Sequence, residues 1–123
     1  VELKGRTFHG CSLAGLKGLA AWVTFEDVQA LSYWLDVYRQ RKPKAQAAFV
    51  FVFRMAQVDI ETDGQSLYEY GGERFLVLST ALDDYRRGMK RRSTKWQTVM
   101  LAAEDFRRVV KPFDWLLTPD FAD

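Results

Sequence analysis

AFVFVFRMAQVDIETDGQSLYEYGGERFLVLS, residues 48 to 79, decides how this chain is built. Two glycine-bearing breaks, Asp63-Gly64 and Gly71-Gly72, divide it into runs rich in β-branched and aromatic residues. Such breaks are hairpin signals, because glycine reaches the positive φ that primed turns require. Counting outward places Thr62 opposite Gln65, Ile60 opposite Leu67, Leu67 opposite Leu76 and Glu69 opposite Arg74. That register gathers Val58, Ile60, Leu67, Leu76 and Leu78 on one face and pairs opposite charges across the second hairpin. An antiparallel β-meander follows. Phe49, Phe51 and Phe53 fall on the other face, which asks for a bulge, for cover on both faces, or for a buried helix over residues 44–56; the strand is the reading adopted.

Working outward, VELKGRTF alternates well enough to predict an N-terminal strand. Ser12 predicts a capped helix running to Val23, weakened by Gly15 and Gly18. TFEDVQALSYWLDVYRQRK is the clearest helix: Thr24 and Asp27 have capping-box spacing, Val28, Leu31, Leu35 and Tyr38 form a stripe, and Pro43 ends it. After the meander, Thr80 with Asp83 predicts a helix with Leu82, Tyr85 and Met89 inward. Thr94 with Gln97 predicts another, carrying Trp96, Val99, Met100, Ala103, Phe106 and Val110 and ending at Pro112. Tail residues Phe113, Trp115, Leu116 and Leu117, with Pro119 beyond, are expected to close the core. The fold class expected is therefore α+β: an antiparallel β-meander, with the N-terminal strand as a candidate neighbour, packed with helices before and after it in one domain over residues 1–123.

A chain of 123 residues, 48% apolar and 28% charged, can bury a core without a metal or disulfide. One cysteine, Cys11, excludes an internal disulfide, and one histidine, His9, excludes a conventional zinc cage. An intracellular, cytoplasmic protein without cofactor or metal is expected. The apolar run Leu13 to Val23 is interrupted by Lys17 and is too short to cross a bilayer. Lys4 and Arg6 imitate the basic start of a leader, but Glu2 and Lys17 spoil the pattern, so no targeting segment and no membrane partner are expected.

GCSLAGLKG, residues 10 to 18, invites comparison with a phosphate-binding loop. Gly10 and Gly15 have the right separation, but Leu16 occupies the lysine position, Lys17 comes one residue late, and Gly18 stands where a hydroxyl should hold magnesium. FVFVF ends in Arg54 rather than an aspartate. Close helix packing explains the small residues better. His9 and Cys11, two apart, have base-and-nucleophile spacing but no orienting carboxylate or oxyanion hole. Asp59 with Glu61, on one strand face, has acid-base or metal spacing; Asp83 with Asp84 and Glu104 with Asp105 sit near helix starts or on polar faces. Solvated surface is the reading for all three pairs, and no catalytic residue is assigned.

Charge is more informative. Residues 80–111 hold nine Lys or Arg against four Asp or Glu, whereas the rest holds nine against twelve. Arg86, Arg87, Lys90, Arg91, Arg92 and Lys95 are expected around a helix-to-helix turn, with Arg107, Arg108 and Lys111 nearby. No exposed aromatics are expected among them. Tyr68, Tyr70 and Phe75 should share the meander face opposite the aliphatic one, beside Asp59 and Glu61, a face that suits protein recognition if left open and core packing if the helices cover it. The function expected is that of a non-enzymatic protein-binding module, of inhibitor, adaptor or immunity type, in which Arg86, Arg87, Lys90, Arg91, Arg92, Lys95, Arg107, Arg108, Tyr68 and Tyr70 meet an acidic protein partner. Nucleic acid is the alternative partner for the same basic region.

Overall fold

The computed structural model describes residues 1–117. Its strands are β1 (Glu2–Phe8), β2 (Trp22–Thr24), β3 (Ala48–Met55), β4 (Tyr68–Tyr70), β5 (Glu73–Ala81), β6 (Lys90–Ser93), β7 (Thr98–Met100) and β8 (Lys111–Pro112). The α-helices are α1 (Phe25–Arg39), α2 (Leu82–Gly88) and α3 (Ala103–Val109), with 3-10 turns at Ala14–Leu16 and Phe113–Leu117. The α+β class stands. The meander does not.

The larger sheet has the order β1-β3-β5-β4, with β1 parallel to β3 and the other pairs antiparallel. β3 pairs directly with β5, so β4 lies outside β5 rather than between the two. The hairpin at Gly71-Gly72 forms as its glycines dictate, with φ of 60° and 80°, and Glu69 faces Arg74. Asp63-Gly64 also turns, and Gln65 N–H donates to Thr62 O at 2.9 Å, yet no ladder grows from it. The chain before that turn is drawn elsewhere: Leu13 N–H donates to Glu61 O at 2.8 Å and Glu61 N–H to Cys11 O at 2.9 Å.

This excursion answers the phenylalanine question. Residues 56–67 break the count between β3 and β5, so Phe51 pairs with Leu78 and Phe53 with Leu76. Phe49, Phe51, Phe53, Leu76 and Leu78 then share one face, and all are buried. Tyr85 from α2 and Phe106 from α3 complete the cluster: Phe51 meets Phe106 edge-on at 5.8 Å, and Phe49 meets Tyr85 edge-on at 5.0 Å. β1 brings Lys4 and Arg6 to this same side, opposite Phe51 and Phe53.

Two predicted helices are corrected. From Ser12, only a single 3-10 turn forms; Ala14 N–H donates to Ser12 Oγ at 3.1 Å, but Gly15 and Gly18 take positive φ and Trp22, Val23 and Thr24 become a strand. In place of the helix predicted from Thr94, the chain first makes a hairpin at Ser93, and the predicted helix survives only as α3. Trp96 N–H donates to Ser93 Oγ at 3.2 Å, the same three-residue reach that a helix cap uses, and β6 and β7 pair on either side. β2-β7-β6 forms a second, antiparallel sheet. The basic region thus joins a short helix to a β-hairpin, not helix to helix. α1 does form with its full capping box, and Tyr38, expected inward, is exposed. α2 starts at Leu82, two residues past the buried Thr80, with Ala81 at its N-cap and no side-chain cap. Pro119 lies outside the described residues.

Gly10 explains part of the GCSLAGLKG pattern: a Cβ there would lie 2.5 Å from the Phe8 ring, whose side chain is buried. No phosphate loop is formed; Gly10 precedes the turn and Gly15 lies inside it. No helix among the described residues is long and apolar enough to cross a membrane.

Tyr85 links the two sheets. Its ring lies against Phe49 and Phe51, and its hydroxyl donates to Ala21 O at 2.7 Å, beside β2. Burial pushes that hydroxyl's pKa well above its ordinary value, so it remains a donor. Tyr85→Phe should cost about 1–2 kcal/mol, by leaving the carbonyl unsatisfied. Phe51→Ala should cost about 3–5 kcal/mol through the cavity it opens. Urea unfolding followed by circular dichroism measures both.

Candidate functional site

The residues singled out from the sequence do not share one surface. Arg86 and Arg87 are exposed in the last turn of α2, Lys90, Arg91 and Arg92 follow along β6, and Lys95 stands in the turn to β7. Arg108 joins Arg87 and Lys90 around a groove between α2 and α3. There, Asp84 holds Arg87 at 3.2 Å and Asp105 holds Arg108 at 3.0 Å. Arg107 turns aside and donates to Gly15 O at 3.4 Å. Tyr68 and Tyr70 lie on β4, at the far edge of the larger sheet and on the face that carries Phe75; both are exposed rather than covered. The unopposed positive charge therefore contracts to the β6–β7 hairpin: residues 90–100 contain four Lys or Arg and no Asp or Glu.

Contrary to expectation, aromatic rings stand among these cations. Trp96, in the hairpin turn, is 67% exposed, and Lys95 Nζ lies 5.0 Å from its ring. Trp22, on β2, has the Arg6 guanidinium 4.0 Å and the Arg92 guanidinium 4.9 Å from its ring centre. Arg6 is tied down further by donating to Trp22 O at 2.9 Å, and burial lowers its pKa from the ordinary arginine value. Along the hairpin, a cleft of about 510 Å³ opens between Phe25 and the strands, bordered by Lys90, Arg91, Ser93, Thr94, Gln97 and the Thr98 that accepts from Arg92.

The second surface was missed in the sequence. α1 buries Val28 and Leu35, yet turns Tyr33, Trp34 and Tyr38 outward at 63%, 56% and 63% exposure, with Val37 beside them. Tyr33 and Trp34 meet edge-on at 5.6 Å. Leu31, Trp34 and Tyr38 form one wall of a groove of about 500 Å³ whose other side is Val1 and Ala47, with Lys42 at its rim. The signal was present: apolar residues at 33, 34, 37 and 38 exceed what a single inward stripe can use.

Between the two surfaces, Lys4 and Asp27 fix α1 to the sheet. Lys4 Nζ lies 2.7 Å from Asp27, both being half-buried, and Asp27 also accepts from Thr24 N–H at 3.1 Å. Partial burial alone would raise the Asp27 pKa; the hydrogen bonds from Lys4 and Thr24 outweigh it and hold the carboxyl below its ordinary range.

Compared with sequence families, with curated proteins and with solved structures, the chain matches none.

The remaining candidates are dispersed. His9 and Cys11 are exposed, and Glu61 sits not on a strand face with Asp59 but in the bridge to Ser12. Among the described residues, no three of His, Cys, Asp and Glu gather as a metal site would require.

Because its folded pKa is depressed, Asp27 contributes stability that is complete above the ordinary carboxylate pKa and is lost as pH falls through the folded value. Asp27→Asn should cost about 1 kcal/mol at pH 7. Its deficit against the native protein should shrink as pH falls below about 4, which urea titrations across that range would show.

Proposed function

We propose that this protein is a non-enzymatic binding module, working as an inhibitor, adaptor or immunity-type protein does, by seating α1 against an acidic protein partner. The observation that carries this reading is the outward aromatic face of α1. A helix of 15 residues that exposes two tyrosines and a tryptophan, next to a groove lined by Leu31 and Val1, offers large area at low entropic cost. Exposed apolar clusters of this kind are what contact surfaces present.

The partner's charge is inferred from the rim. Arg41, Lys42 and Lys44 follow α1 in one exposed or half-exposed connection and make no ion pair among the described residues. A partner with carboxylates around an apolar projection would bury that projection beside Trp34 and Tyr38 and place its charge against these cations. Attraction of this type raises the association rate, while the rings set the lifetime of the complex. The basic hairpin, favoured in the sequence, borders a separate cleft and is not needed for this contact.

A photo-crosslinking residue at position 37, in cells that naturally make the protein, should yield one predominant adduct with an acidic protein. Trp34→Ala with Tyr38→Ala should weaken that complex by about 100-fold or more, with little change in folding, because both side chains are more than half exposed. An adduct of undiminished yield from the double variant removes the assignment. A product consisting only of two copies of this chain replaces it with self-association.

A further inference from the structure

We propose that the β6–β7 hairpin is a binding site for single-stranded nucleic acid, independent of the α1 surface. Three observations converge on it. Cations recur along the hairpin and its entry, Arg86, Arg87, Lys90, Arg91, Arg92 and Lys95, without a carboxylate in residues 85–103. Of these, Arg87 alone has an ion pair among the described residues. A cation row on a pleated strand suits a backbone that repeats its negative charge, because each neutralised phosphate releases a condensed counterion.

Aromatic surface is interleaved with that charge. The exposed Trp96 indole at the hairpin tip offers a face for a base, and Phe25 supplies a second ring at the wall of the cleft. Stacking on such rings requires a base that is not already stacked in a duplex, which selects single strands. Arg92 does not float freely beside them: with Arg6 it is set over Trp22, and its Nη1 donates to Thr98 Oγ1 at 3.5 Å. A guanidinium held in place this way loses less conformational freedom when a phosphate arrives.

The cleft itself discriminates between polyanions. Its volume of about 510 Å³ accommodates a nucleobase, and Ser93, Thr94 and Gln97 at its border carry donors and acceptors suited to base edges. Polyglutamate would use Lys90 and Arg91 but has no ring to lay on Trp96 or Phe25. The hairpin's chemistry is that of a strand threading past cations with a base turned inward beside Phe25.

Fluorescence anisotropy of labelled dT20 and rU20 against the whole protein tests this. Binding should be reversible, quench tryptophan emission, and weaken with salt in proportion to the phosphates engaged, at about −0.7 in log K per log salt for each. Arg91→Gln should reduce that slope by roughly one phosphate's share. Trp96→Ala should lower affinity about tenfold while leaving the slope unchanged, because stacking releases no counterions. Both side chains are exposed, so the folded state should survive, and circular dichroism verifies it. The Trp34→Ala, Tyr38→Ala protein should bind dT20 like the native one, which separates failure of this site from failure of the α1 reading. Equal or tighter binding of polyglutamate, preference for a 20-base-pair duplex, or a Trp96→Ala protein indistinguishable from native would each overturn the proposal.

Discussion

Everything in this structure hangs on the ring cluster where Tyr85 meets Phe49 and Phe51. A five-strand sheet, β8 pairing with β5 beside the main path, and a three-strand sheet are joined by one helix whose tyrosine packs on the first and hydrogen-bonds to the backbone beside the second. Area and direction come from the same side chain. The rings supply apolar burial, and the hydroxyl fixes the distance between the layers, since a buried carbonyl left unpaired is costly. Phe106 locks α3 to the same point.

Local signals in the sequence were read well where the chemistry was local. The Thr24 and Asp27 capping box and the Gly71-Gly72 turn each depend on residues within a few positions of one another, and both formed as expected. Long-range pairing was not legible. Ala48 to Ala81 and its neighbours set a register that no count through the Asp63-Gly64 turn could give, because residues 56–67 lie between β3 and β4 outside any strand, with Glu61 bridging to the Cys11–Leu13 segment. Ser93 shows a further ambiguity: a hydroxyl accepting from the third amide onward is compatible with a helix start and with a hairpin turn, and the apolar spacing from Trp96 to Val110 favoured the wrong one. β-branched Thr98 and Val99, adjacent to one another, were the contrary signal.

The candidate surfaces were legible in part. Counting charge located the basic segment, but counting could not show that Asp84 and Asp105 would engage Arg87 and Arg108, nor that Trp22, some seventy residues earlier, would lie under Arg92. The aromatic face of α1 is masked in the sequence because Tyr38 fits the inward stripe as well as the outward one. Phe25 begins α1 at the hairpin and Tyr38, one residue before its end, lies at the β1 groove, roughly 20 Å away at the rise of an α-helix. One helix therefore reaches both the cleft and the groove.

The placement of Lys4 and Arg6 on the inner side of β1 has a consequence for behaviour at high concentration. β1 ends the larger sheet, and a terminal strand is a natural template for growth by a neighbouring chain. An arriving strand would have to lay its own inner side chains next to an ammonium and a guanidinium whose partners, Asp27 and Trp22, are already engaged. Apolar residues would strip water from those ions without replacing it. The molecule thus carries its own deterrent to fibre formation, built from the pair of cations that also fasten its first helix and its second sheet.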